Sequence, residues 1–103
     1  MAATFGTTQK LMSISRGEFE ASARALDPNA VLQSNGTGLV ARYALSDGAF
    51  ADVSYTLLPP RVIGGGLLSL PQAEIMITFT GHLPAAQIAF LLRFETSFQR
   101  GGG

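Results

Sequence analysis

Side chains alternate between two faces from Glu74 to Thr80, with Ile75, Ile77 and Phe79 on one side and Glu74, Met76, Thr78 and Thr80 on the other. A period of two over this length predicts a strand with one buried face. The pattern changes after Gly81 and His82. Pro84 stands where the first turn of a helix accepts proline, and Ile88, Leu91, Phe94 and Phe98 recur at helical spacing up to Arg100. Gly101 then takes the position of a left-handed residue that stops a helix.

Earlier in the chain, Ser15-Arg16-Gly17-Glu18 has the form of a capping box, with Ile14 and Phe19 at the two staple positions. It predicts a helix over residues 16–26 that buries Phe19, Ala23 and Leu26 and ends at Asp27-Pro28-Asn29. Asn35-Gly36 predicts a two-residue hairpin that pairs Leu32 with Leu39. The second hairpin, near Asp47-Gly48, can be argued from register. A two-residue loop would oppose Tyr43 to Asp52 and set the apolar faces against each other, whereas a three-residue loop with Gly48 left-handed opposes Arg42 to Asp52. Leu57-Leu58-Pro59-Pro60 is expected to close that strand, because proline cannot donate to a ladder. Pro59 to Pro71 then reads as an irregular apolar segment around Gly64-Gly65-Gly66.

These elements predict an α+β domain: an antiparallel meander of about four strands flanked by an N-terminal and a C-terminal helix, as a two-layer sandwich. Residues 1–12 are expected to be a mobile segment, 13–100 a single domain and 101–103 a flexible glycine tail.

Composition adds one hint and several exclusions. Of the 103 residues 47% are apolar and 14% charged, roughly half the usual charged share. A surface so poor in charge suggests cover by another copy of the chain or by a partner. Seven basic residues balance seven acidic ones with no run of either sign, so the electrostatic footprint of a nucleic-acid binder is missing. There is no cysteine, and hence no thiolate chemistry or disulfide framework. Ile75 to Leu92 carries no formal charge, but Thr78, Thr80, Gly81, His82 and Pro84 break it up, so no membrane span is expected. With no apolar leader near Met1, the cytoplasm is the default location. Six of the seven basic residues are arginine and Ala and Gly are abundant, which suggests a GC-rich bacterial genome.

Candidate chemistry is sparse. His82 is the single histidine, and no acidic residue lies between Glu74 and Glu95 to make a triad or ligand set with it. Asp47, Asp52, Glu74 and Glu95 each have a structural explanation as turn, ion-pair or solvated positions. Gly64-Gly65-Gly66 lacks the lysine and following helix of a phosphate loop. No cofactor or metal is expected. The sequence therefore points to a small non-enzymatic interaction module, a homodimer or a binder of a protein partner. Its contact would be an exposed sheet face or the apolar 59–71 segment, with Arg61, Val62, Ile63, Leu67, Leu68 and Leu70 as the candidate surface. The alternative is a carrier or sensor of a small apolar ligand held between sheet and C-terminal helix.

Overall fold

A computed structural model describes residues 4–36, 38–45, 48–81 and 84–101. In chain order the elements are β1 (Thr4–Met12), α1 (Arg16–Leu26), β2 (Val31–Asn35), β3 (Gly38–Ala44), β4 (Phe50–Ile63), β5 (Leu68–Thr80) and α2 (Pro84–Gly101). The strands form one antiparallel sheet in the order β1-β5-β4-β3-β2. Both helices pack on the same face of it. The α+β class is as expected, but the sheet has five strands rather than about four.

The fifth strand is β1, in the segment expected to be mobile. It pairs along β5 from Thr4↔Thr80 to Met12↔Ala73. This changes the role of α1, which becomes a crossover between the two edge strands. Eleven helical residues span ~16 Å, close to the ~19 Å across four inter-strand spacings. The helix starts at the predicted box: the Glu18 amide donates to Ser15 Oγ at 3.2 Å and the Ser15 amide to Glu18 Oε1 at 3.0 Å. Ile14, Phe19, Ala23 and Leu26 are buried below it.

The β3–β4 hairpin has the predicted register. Arg42 faces Asp52 and Tyr43 faces Ala51, the Leu45 amide donates to the Ala49 carbonyl at 2.8 Å, and Gly48 is left-handed at φ 77°. Asp47 lies outside the described residues. The β2–β3 hairpin closes one residue further along than expected, at Asn35↔Gly38, which shifts the pairing by two, so Leu32 faces Ala41 and Ser34 faces Leu39. A slip of two preserves which side chains point inward.

The core is aromatic where helices meet sheet. Phe19 packs on Tyr55 at 5.1 Å and on Phe98 at 5.6 Å, Phe90 on Tyr43 at 5.0 Å, and Phe94 stacks on Phe98 at 4.2 Å. The buried stripe of α2 is thus Phe90, Phe94 and Phe98, with Leu91 at its margin. Ile88, expected inside, is 61% exposed. The helix is apolar on more than one side, and the larger rings take the core because they bury more area. It runs through Gly101, one residue past the expected stop.

The prolines after Leu58 do not end β4. A register shift between Leu58 and Arg61 sets two β4 residues, Pro59 and Pro60, against Pro71 alone, and pairing resumes as Arg61↔Leu70, Val62↔Ser69 and Ile63↔Leu68. Such a bulge absorbs the missing donors. The segment expected to be irregular is therefore the end of a long hairpin.

Candidate functional site

β3 stops pairing with β4 at Gly38↔Thr56, and β1 stops pairing with β5 at Met12↔Ala73. Beyond these points residues 57–72 continue as a two-stranded arm, roughly 20 Å long at ~3.3 Å per residue. It gives the molecule its 50 Å long axis against 25 and 21 Å across. Gly64, Gly65 and Gly66 turn the tip with φ values of 67°, 65° and 94°, a left-handed run that side-chain-bearing residues rarely adopt. The Leu67 amide closes the turn on the Gly64 carbonyl at 3.3 Å.

All six residues of the candidate surface lie on this arm. Leu67 at the tip is 91% exposed, Val62 is 61% exposed, Arg61, Ile63 and Leu68 are exposed, and Leu70 is half-buried. Opposed residues of a hairpin share a face. Arg61, Ile63, Leu68 and Leu70 therefore lie together, and Val62 with Ser69 lies behind them. Even-numbered β5 positions continue the helix-free face of the sheet, so the larger group extends that face outward. The structure brings four of the six together and leaves Val62 on the reverse and Leu67 at the turn.

Sequence reasoning missed the neighbours of this group. Leu11 on β1 is 63% exposed and faces Glu74 on the open side of the sheet. Together with Arg61, Leu70 and Gln72 it lines a groove of about 240 Å³ at the arm's base. Leu58, opposite Gln72, lies on the same face. Ser13 braces the base, donating through Oγ to the Pro71 carbonyl at 3.0 Å. The signal for Leu11 is a large apolar residue beside Met12 at the end of a polar run, one of which must point outward if the run is an edge strand.

The open face itself is mixed. Arg42 holds Asp52 through two bonds of 2.9 and 3.1 Å and lies 4.7 Å over the Phe50 ring. With Val31, Val40, Ser54 and Thr78 this pair lines an open groove of about 670 Å³. Glu74 accepts from the Gln9 amide group. Of the six basic side chains the structure describes, Lys10, Arg16, Arg24, Arg42 and Arg93 have partners within the chain, and Arg61 has neither a hydrogen bond nor an ion pair.

The helix-covered face is filled by its own side chains. Tyr43 and Tyr55 direct their hydroxyls to the Ala23 and Ile14 carbonyls at 3.0 and 3.4 Å. Burial pushes both phenols above their ordinary range. Among the described residues no buried side-chain nitrogen or oxygen lacks a partner. His82 lies outside the described residues. No described helix is long and apolar enough to cross a membrane. Comparison with protein-family models, with curated proteins and with solved structures gives no match.

Proposed function

We propose that this chain is a small interaction module that engages a protein through the β4–β5 arm. The carrying observation is the exposure of Val62, Ile63, Leu67 and Leu68 on a hairpin that leaves the body of the domain. A two-stranded ribbon without a covering layer is marginal in water. Full burial of one large aliphatic side chain is worth ~1.5–3 kcal/mol, so covering the arm offers several kcal/mol against the cost of association. Chemistry supports the same reading, since what gathers at the arm is a contact surface with one unpaired cation and no acid–base pair.

The test replaces Arg61–Leu70 by a short turn in the otherwise full chain. Circular dichroism should show an intact fold, while self-association and capture of partners from a cell lysate should both be lost. Association that persists without the arm would refute this function.

A further inference from the structure

Resting on the arm as contact surface, we propose that its occupant is a second copy of this chain, in a twofold arrangement where each arm lies across the helix-free face of the other sheet. Strand addition is the less suitable mode. Pro59 and Pro60 interrupt the donor row of β4 and Pro71 that of β5, so both open edges of the arm are blunted. The side-chain face is what remains.

Area favours exchange. The arm is ~20 Å long and ~10 Å wide, so one arm on one sheet buries ~400 Å² counted on both surfaces. That is far below the ~1,000 Å² at which specific interfaces begin. Reciprocal exchange doubles it to ~800 Å², the range of weak contacts that dissociate on dilution. A one-sided contact with an unrelated flat surface would fall short.

Register and charge then fit. A twofold axis perpendicular to the strands, through the row Leu58↔Gln72, reverses strand direction and brings the two open faces together. Counting residues outward, the Arg61↔Leu70 row falls over the Thr56↔Glu74 row of the second copy, and the Ile63↔Leu68 row over Ser54↔Met76. Arg61, without an internal partner, meets a Glu74 whose carboxylate is held by an amide rather than by a cation. Leu70 approaches Leu11, and Ile63 and Leu68 approach Met76. Twofold symmetry makes each contact twice.

Two variant sets decide it in the full chain. R61E or E74R alone should weaken the dimer at least ~10-fold, and the R61E/E74R double variant should restore it to within ~3-fold, since like charges repel and the swapped pair attracts. The chain has no cysteine, so L58C supplies a unique thiol at the axis. Facing sheets lie ~10 Å apart, beyond a disulfide's reach, so a short bismaleimide is the suitable cross-linker. L58C should cross-link to a covalent dimer, whereas V31C, at the far edge of the open face, should not. A dimer lost on arm removal but indifferent to the charge swap and to L58C would overturn the exchange and leave the arm as the contact. A dimer that survives arm removal would overturn both. A chain monomeric at all concentrations would overturn the second copy as occupant, with the arm then judged by lysate capture.

Discussion

The Arg93 guanidinium of α2 donates to the Leu26 carbonyl at the end of α1, at 2.8 Å. A helix C-terminus carries unsatisfied carbonyls and partial negative charge, so a side chain from the second helix closes the first. The bond ties the crossover helix, which joins the two sheet edges, to the helix that seals the core. Arg93→Ala should cost about 1 kcal/mol, as expected for a partly exposed charge-assisted bond, and Arg93→Lys should recover part of it. Urea midpoints of the three proteins are the check.

Gly81 at φ 91° ends β5, and a β-carbon there would lie 2.9 Å from Ala49 Cβ and 3.0 Å from Ala49 Cα. Backbone strain and overlap act together, so Gly81→Ala should lose ~2 kcal/mol or more. Adding Ala49→Gly should relieve the overlap with the Ala49 β-carbon and leave the close backbone contact and the strain. A double-mutant cycle on thermal unfolding separates the two, and additive losses would contradict the packing.

The tyrosines make a prediction about alkali. Burial raises the Tyr43 phenol above its ordinary 10, with Asp27 adding to this and Arg93 opposing it, and burial raises Tyr55 too. The unfolded chain ionises first, so this contribution is intact below pH ~10 and is lost as pH climbs from there toward the raised folded values. Tyr43→Phe removes one titrating group, and stability measured from pH 8 upward should fall less steeply in it.

The two apolar stripes of α2 should behave differently. Phe94→Ala empties a buried ring position and should cost ~3–5 kcal/mol. Ile88→Ala on the outer side should change stability by less than ~0.5 kcal/mol. Comparable losses would mean the helix faces the sheet by its other stripe.

What could be read from the chain divides along physical lines. The capping box at Ser15, the register through Arg42 and Asp52, and the alternation from Glu74 to Thr80 each rest on local chemistry that has one solution. β1 was not visible because an edge strand of Thr, Gln and Lys needs no apolar alternation: Lys10 faces the helices yet ends in an ion pair with Glu95 at 3.6 Å. The arm was read as a break because proline stops a ladder, and a bulge that takes two prolines against one residue is a tertiary solution. Its residues could be nominated by their apolar character, but not sorted by face until the pairing Arg61↔Leu70 was known. In α2, Ile88 and Phe90 both fit helical spacing, and only packing against Tyr43 and Phe79 decides between them.

The measurement closest to the central claim is the solution mass of the full chain, by light scattering over a wide concentration series, beside the variant with Arg61–Leu70 replaced by a turn. A dimer of the full chain that dissociates on dilution is expected, and a monomer of unchanged helix and strand content when the arm is gone. The same mass for both proteins at every concentration would contradict it.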